Sequence, residues 1–560
     1  GLVFFEYEYI RVYLSITSEC YLFMKAPGQD LALLQLDVAT AFLNGEVEEE
    51  LYIREPRGYE RGAPGLVCRL RKALYGLKQA ARAWYRKLRG TLERAGFEAC
   101  EADECLFKRR TPDGDIFFIL VYVDDLLVTA QTVATAEAGQ AVVTEALKSK
   151  TMGEPTDVLG PRIERDTNGR TLRLHQRQYV SSLLTRLGLK EANPVLLPMG
   201  AGVHLRKGGT LLDADTTKLY QELVGSLLYL STSTRPEITF AVGRLTRFVA
   251  SPTEEHLAAG KAVLRHLKGT STLGLCYAGD GGLAGFCDAD FAADRDTRRS
   301  TSAVVYLFGG SAVCWSSKLQ PSVAASTTEV GYIAAAVAAK QGMWLLRLRA
   351  LVAEETGSIG LSCDSQSALA SMQNPGTSAR TRHIDVCHRL VRERVADGTL
   401  VLQYVRTGEQ TADILTKPLG TVAFALGVQG LSMRTSLGIP HGGVLEWSTL
   451  VGGGQIIMSP PGETAAAPTD RADTAPGRDN LQARGECRED VMPGRLHSRM
   501  ATPAVFDMQP GRPRVSGTGR VFVAARGVCG EWRVLRGSRA VRSAGVQPPM
   551  LRGTPGRVYM

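Results

Sequence analysis

A chain of 560 residues is long enough for two to four domains of ordinary size. Its hydrophobic fraction of 44% and charged fraction of 22% are typical of globular protein and exclude a chain that is disordered throughout. No run approaches the roughly 18 apolar residues of a membrane span, so we expect no membrane partner. A net charge of +9 suits a polyanion, and 11 scattered cysteines without C-x-x-C spacing favour reduced thiols.

The first predicted strand ends in a carboxylate, Asp37, within residues 34–45, LQLDVATAFLNG. Two more acids, Asp124 and Asp125, lie between apolar runs in residues 116–129, IFFILVYVDDLLVT. Apolar, β-rich runs of this length around a tight turn predict a buried β-hairpin. The three acids are therefore predicted to lie on neighbouring strands.

Carboxylates beside a buried strand are costly unless a partner offsets their charge. A divalent cation is one such partner, and two-metal phosphoryl transfer uses carboxylates from neighbouring strands. Asp37 and Asp124 are predicted to bind Mg²⁺ (or Mn²⁺), with Asp125 as an auxiliary ligand or a structural acid on the other side of its strand. Asp is also common at solvated turns, and this alternative stays open for the pair.

Residues 73–85, ALYGLKQAARAWY, place basic side chains next to aromatic ones. Such a mixture suits a surface that positions phosphates and stacks bases. An amphipathic helix with a solvated basic face is the open alternative.

Together, QLDVATAFLNG, ALYGLKQAARAWY and YVDD, in this order, resemble the reverse transcriptase of copia-type LTR retrotransposons. The resemblance implies a right-hand polymerase palm with Asp37, Asp124 and Asp125 as its catalytic acids. It implies that the ring of Phe42 lies under the nucleotide sugar, although a core Phe is the alternative. The substrate-binding residues that we expect are Phe42, Tyr122, Gly76, Lys78, Gln79 and Arg82.

The same resemblance implies an RNA template, a DNA primer, an RNA–DNA hybrid and deoxynucleoside triphosphates as partners. It implies a cytoplasmic or nuclear location, in a virus-like particle if the element is active, and leaves the oligomeric state open. Residues 1–30 are aromatic-rich and match no motif of the family, so we expect the basic fingers region to be largely missing.

Helices are predicted after the hairpin, first at 134–150 and then at 179–187, where apolar residues recur at helical spacing. Residues 251–254, SPTE, resemble a capping box that opens a further helix, which Gly269 can close. Residues 220–248 resemble the family's connecting region. We therefore assign 31–175 to the palm and 176–280 to a helical thumb and connection.

A second domain is predicted over 281–420. Three antiparallel strands are followed by helix, strand, helix, strand and helix, which is the order of the RNase H fold, and Gly309-Gly310 predicts a two-residue hairpin. Asp288 and Asp364 end neighbouring strands, as a two-metal phosphodiesterase requires, and Asp413 lies in the last predicted helix. The segments resemble the copia-type RNase H, whose catalytic, metal-binding acids fall on Asp288, Asp364 and Asp413.

The fourth acid of that domain is missing from the sequence. The family reads STEAEYIA and uses its second Glu, whereas residues 326–334 here read STTEVGYIA. Glu329 matches the first Glu, and Gly331 stands at the position of the catalytic one. We therefore expect a folded domain with little or no cleavage of RNA in a hybrid.

Residues 421–560 are predicted to form a low-complexity, disordered tail, because Gly, Pro, Ala and Arg dominate from 451 onward. It is either a basic nucleic-acid-binding tail or a non-coding extension read in frame. The fold class is thus α+β, and the leading function is an RNA-directed DNA polymerase with an attached RNase H domain. A degenerate, non-catalytic remnant that at most binds nucleic acid is the alternative. A palm-fold nucleotide cyclase would need a GG[DE]EF-like turn that this sequence lacks.

Overall fold

The structure is a computed structural model that describes residues 31–55, 58, 66–166, 170–278, 282–353, 356–374, 385–437, 523–527 and 530–536. The predictions for residues 1–30 and for most of 438–560 lie outside the described residues. Two compact units divide the chain, residues 1–458 with 523–560 and residues 459–522, and all described residues belong to the first.

The first part of the described chain is a sheet with helices on one face. Its elements are β1 (Ala32–Val38), a 3₁₀ turn (Ala41–Asn44), β2 (Leu51–Arg54), β3 (Val67–Arg69), α1 (Ala80–Arg94), β4 (Glu98–Ala99), β5 (Leu106–Arg110), β6 (Ile116–Tyr122), β7 (Asp125–Ala130), α2 (Val133–Ala146) and β8 (Ser149–Gly153). Six strands form the antiparallel order β4-β5-β6-β7-β1-β8. The apolar runs of β6 and β7 form the predicted hairpin at its centre, with Leu126 and Val128 buried against Leu88 and Trp84 of α1 in one cluster.

The helix predicted at 134–150 is shorter in the structure. It ends at Ala146, and Leu147 already has extended backbone angles. Residues Ser149–Gly153 instead form β8, which pairs with the outer edge of β1. Pairing with β8 satisfies the backbone hydrogen-bonding groups at the outer edge of β1, which a longer helix would leave unpaired.

Helices dominate the next part. Its elements are β9 (Arg162–Asp166), β10 (Thr171–His175), α3 (Arg177–Arg186), α4 (Ala214–Ser233), a 3₁₀ turn (Pro236–Ile238), α5 (Thr239–Thr246), α6 (Glu254–Gly269) and β11 (Gly274–Ala278). The predicted amphipathic helix is α3, whose Val180, Leu183 and Leu184 are buried in a separate helical core. The capping residue of α6 is Thr253, with His256 completing the box, so the cap lies two residues after the Ser251 of the predicted one.

The last large part is a mixed sheet with helices. Its elements are β12 (Ala284–Ala289), β13 (Thr301–Phe308), β14 (Ser311–Leu319), α7 (Thr327–Ala353), β15 (Ile359–Cys363), α8 (Gln366–Gln373), α9 (Asp385–Ala396), β16 (Leu400–Tyr404), 3₁₀ turns at Thr407–Glu409 and Thr411–Leu415, α10 (Thr421–Gly430) and β17 (Met433–Arg434). The strand order is β14-β13-β12-β15-β16, with β12–β15 and β15–β16 parallel. Asp413 lies in a 3₁₀ turn and not in the helix predicted for it.

The ordered chain extends past the predicted boundary at 420. Phe424 and Val428 of α10 are buried in the large core, and β17 pairs with β11. Two further strands, β18 (Val523–Gly527) and β19 (Gly530–Arg536), lie inside the predicted tail, and β19 pairs with β2. The disordered tail predicted from 421 therefore does not begin there, because the side chains of Phe424 and Val428 complete the large core. Among the described residues, no helix is long and apolar enough to cross a membrane.

Candidate active sites

The first acidic site lies where β1 meets the β6–β7 hairpin. Asp37 of β1 is the direct cross-strand partner of Asp125, at the start of β7. Tyr122 pairs with Asp125 across the hairpin, so Val123 and Asp124 form its two-residue turn. Directly opposite residues of an antiparallel pair share one face of the sheet. Asp125 thus lies on the face of Asp37, and the expectation that it points to the other side is wrong.

Negative charge accumulates at this site. Burial, together with the charges of Asp124 and Asp37, raises the pKa of the Asp125 carboxyl, while a 3.4 Å hydrogen bond from the Gln35 side chain opposes the rise. Asp37 is exposed and the other two acids are half-buried, so solvent and ligands reach them. A cation would relieve the repulsion, which is the condition for a metal site.

The turn that carries Asp124 is held from two sides. The Trp84 ring nitrogen of α1 donates to the Val123 carbonyl at 2.6 Å, and the Val38 amide donates to the Asp124 carbonyl at 2.8 Å. Val123 has φ of 54°, a left-handed angle that a β-branched residue rarely adopts. Strain of this kind persists where surrounding contacts impose it, and it is common at functional sites.

Phe42 is half-buried in the first 3₁₀ turn, and its ring lies 4.6 Å from that of Tyr75 between centroids. Phe42 also packs against the edges of two hydrophobic clusters. Its ring therefore contributes to the core while part of it stays exposed. Burial and the negative charges of Asp124 and Asp37 raise the pKa of Tyr75. Tyr75 therefore joins the site, although the sequence suggested only that it stacks beside basic residues.

Of the other expected substrate residues, Tyr122 ends β6 beside the acidic turn, and the rest lie just before or within the first turn of α1. Gly76 has φ of 90°, which only glycine adopts readily, and Lys78 and Arg82 are exposed. The Gln79 side chain donates to Glu49 at 2.5 Å. The same helix contacts the acidic turn through the ring nitrogen of Trp84.

The second acidic site unites Asp288, Asp364 and Asp413. One carboxylate oxygen from each lies within 4.8 Å of the others. Among the described residues, these three acids form the one group whose carboxylate oxygens lie this close together. The carboxylate oxygens of Asp37, Asp124 and Asp125 are not all within this distance of one another. The parallel pairing of β12 with β15 brings Asp288 and Asp364 to the same end of the sheet.

Neighbouring side chains orient these acids. The Thr416 hydroxyl donates to Asp288 at 2.5 Å, and the Thr407 hydroxyl donates to Asp364 at 3.1 Å. Asp413 Oδ1 is buried without a hydrogen-bond partner. Burial and the charge of Asp288 raise the pKa of Asp413 to about 7. An orphaned carboxylate oxygen among three clustered acids fits a divalent cation with oxygen ligands.

Gly331 lies in α7 beside this cluster. A Cβ atom built there would be 3.1 Å from the Cβ of Ala368 and 3.5 Å from that of Ser365, the residue after Asp364. Glu329 is committed elsewhere, because its carboxylate accepts a 2.8 Å hydrogen bond from the Ala325 amide. The described residues therefore place no fourth carboxylate with the three.

The sequence of the chain is similar to those of known proteins. The family model for reverse transcriptase (RNA-dependent DNA polymerase) matches residues 7–201. A putative transposon Ty5-1 protein of Saccharomyces cerevisiae is 34% identical over 305 residues, which are 54% of this chain and 98% of that protein. The chain belongs to the copia-type retrotransposon reverse transcriptase family. The match includes residues 7–30, so the expectation that residues 1–30 match nothing is wrong over that range.

Longer members of the family are also similar. The Pol polyprotein from transposon TNT 1-94 of Nicotiana tabacum is 37% identical over 418 residues, covering 73% of this chain and 32% of that polyprotein. The polyprotein from transposon RE1 of Arabidopsis thaliana is 38% identical over 395 residues, 70% of this chain and 26% of its own length. The chain thus spans about a third or less of these polyproteins.

Among solved structures, the foamy viral protease-reverse transcriptase in complex with dsDNA aligns with 67% of this chain and 68% of that chain. The TM-score is 0.36 and the identity 13%, which is too low to support an argument about this fold or function.

Proposed function

We propose that the chain is an RNA-directed DNA polymerase that joins deoxynucleotides to a DNA primer on an RNA template. The observation that carries the proposal is the register that sets Asp37 opposite Asp125, with Asp124 in the adjoining turn. These acids lie within the segment that matches the reverse transcriptase family. The face shared by Asp37 and Asp125, and the accumulated negative charge, suit phosphoryl transfer, which depends mainly on positioning and charge stabilisation.

Each residue has a role in this proposal. Asp37, Asp124 and Asp125 hold Mg²⁺ or Mn²⁺, which when bound neutralises charge on the transferring phosphates. Phe42 and Tyr75 form an aromatic wall beside the acids, against which the sugar of the incoming nucleotide packs. The exposed cations at the start of α1, Lys78 and Arg82, contact phosphates of the template, the primer or the nucleotide.

The second acidic site is proposed to belong to an RNase H-like domain that acts on an RNA–DNA hybrid. Support comes from the clustering of Asp288, Asp364 and Asp413 at one end of the mixed sheet. Two-metal hydrolysis uses carboxylates to hold both ions about 4 Å apart. Because Gly331 contributes no carboxylate, hydrolysis by this chain is expected to be weak.

Primer extension on an RNA template with Mg²⁺ tests the polymerase proposal. Asp37→Asn, Asp124→Asn and Asp125→Asn should each nearly abolish extension, since each removes one negative charge from this group of acids. Asp113→Asn, at an exposed turn that precedes β6, is the matched control and should extend as well as the unchanged chain. Extension that survives Asp37→Asn would reject the proposed site. A folded, unchanged chain that binds primer–template without extending it would instead identify a non-catalytic remnant.

A further inference from the structure

The residue after Thr416 brings a positive charge into the second acidic site. The Lys417 ammonium lies 2.9 Å from Asp413 Oδ2 and 3.9 Å from Asp288 Oδ2. Its backbone amide donates to the Asp413 carbonyl at 3.3 Å, as the Thr416 amide does at 3.1 Å. One turn of chain therefore directs both side chains at the acids, and Thr416 is fully buried there.

The contacts divide the cluster into two edges. Lys417 covers the edge between Asp413 and Asp288. Asp364 has no ion pair of 4.0 Å or less with Lys417, and its Oδ2 accepts only from Thr407 among the described hydrogen bonds. A metal ion that binds between Asp288 and Asp364 therefore does not compete with the Lys417 ammonium for that edge.

The net charge of the cluster also favours a single divalent cation. When a metal ion is bound and all three carboxylates are ionised, these acids and one ammonium sum to −2, the charge that one divalent cation neutralises. A second divalent cation would need further anionic ligands, and the α7 position next to Ser365 is Gly331, which has none.

We propose that Lys417 is a resident cation of this site, standing where a second metal ion would bind, so that the site takes a single divalent cation at Asp288 and Asp364. The inference rests on the proposed function of the second site for its biological meaning, but not for its test. Lys417 acts here as a positioning residue: it holds Asp413 and Asp288 in place and excludes a second cation from their edge.

Mn²⁺ binding to the full chain, followed by the electron paramagnetic resonance signal of free Mn²⁺, tests the proposal. The chain should carry Asp37→Asn, Asp124→Asn and Asp125→Asn, so that the signal reports the second site. This background should bind one Mn²⁺ and lose it on Asp288→Asn. Added Lys417→Met should bind Mn²⁺ about tenfold more tightly or take up a second ion, because a positive charge close to the ligands is removed. Lys417→Arg should bind like the background.

Lys340→Met is the matched control, since Lys340 is an exposed lysine of α7. Asp413→Asn keeps the lysine and reduces the net negative charge from −2 to −1, so Mn²⁺ affinity should fall about tenfold. The proposal is overturned if Lys417→Met and Lys340→Met bind Mn²⁺ within about twofold of each other, if the background binds two ions at this site, or if neither form binds any. If Lys417→Met does not fold, an unchanged affinity in Asp413→Asn overturns it equally.

Hybrid cleavage is measured separately on the unchanged chain. If neither the unchanged chain nor Gly331→Glu cleaves hybrids while one Mn²⁺ is bound, the nuclease part of the proposed function is rejected and the role of Lys417 stands. Cleavage together with two bound ions would do the reverse.

Discussion

Replacement of Gly331 by Glu supplies the carboxylate that the second acidic site lacks. Two opposing effects on the free energy of unfolding can be worked from the structure. A side chain in a helix interior gains up to about 1 kcal/mol over glycine. The new Cβ would lie 3.1 Å from the Cβ of Ala368, so α8 must shift by a few tenths of an ångström. Overpacking typically costs about 1–3 kcal/mol. The net loss of stability should therefore be about 0–3 kcal/mol.

Gly331→Gln is the control, because it has nearly the same volume without the charge. Both variants should unfold at similar temperatures, whereas only Gly331→Glu adds a metal ligand. Cleavage of end-labelled RNA in an RNA–DNA hybrid should rise at least about tenfold over the unchanged chain, which is about 1.4 kcal/mol of barrier. The reasoning is refuted if the unchanged chain already cleaves hybrids efficiently, or if Gly331→Gln gains as much activity as Gly331→Glu.

Three further predictions concern stability. The pKa of Asp413 is raised from 3.8 to about 7, so between these pH values the folded state keeps a proton that the unfolded state has lost. The stability of the metal-free chain should therefore fall as pH rises through this range. In thermal unfolding, Asp413→Asn should flatten that decline. Trp84→Phe removes the donor to the Val123 carbonyl and should cost about 1–3 kcal/mol in denaturant unfolding, with primer extension reduced as the turn loosens. Glu237→Gln breaks a fully buried ion pair with Arg235 at 2.6 Å and should cost about 3–5 kcal/mol; an unchanged melting temperature would contradict this.

Hydrophobic patterning predicted most of the regular elements. The β6–β7 hairpin, α3 and the Gly309-Gly310 hairpin lie where apolar periodicity and turn residues predicted them. These features depend on local sequence, so they are readable from it. The start of β8 and the ordered segment at 421–434 were missed, because each owes its conformation to a distant partner, β1 or the large core.

The sequence predicted which acids the structure brings together, but not their mutual geometry. Which acid lies opposite Asp37 depends on strand register, which two adjacent aspartates leave ambiguous by one residue. Lys417 and Tyr75 approach the acids through backbone turns that have no periodicity. In retrospect, the spacing of four residues from Asp413 to Lys417 was the available signal for an ion pair, and it is too common to single out.

We propose that Asp37 and Asp125, opposite each other across β1 and β7, together form one catalytic centre for DNA synthesis on RNA. Single-nucleotide incorporation by Asp37→Asn, Asp125→Asn and the double variant measures this most directly. Residues that act as a unit are strongly non-additive. The double variant should be no slower than the slower single variant, with both far below the unchanged chain. Strictly additive losses, or an Asp125→Asn protein that incorporates nucleotides normally, would contradict the claim.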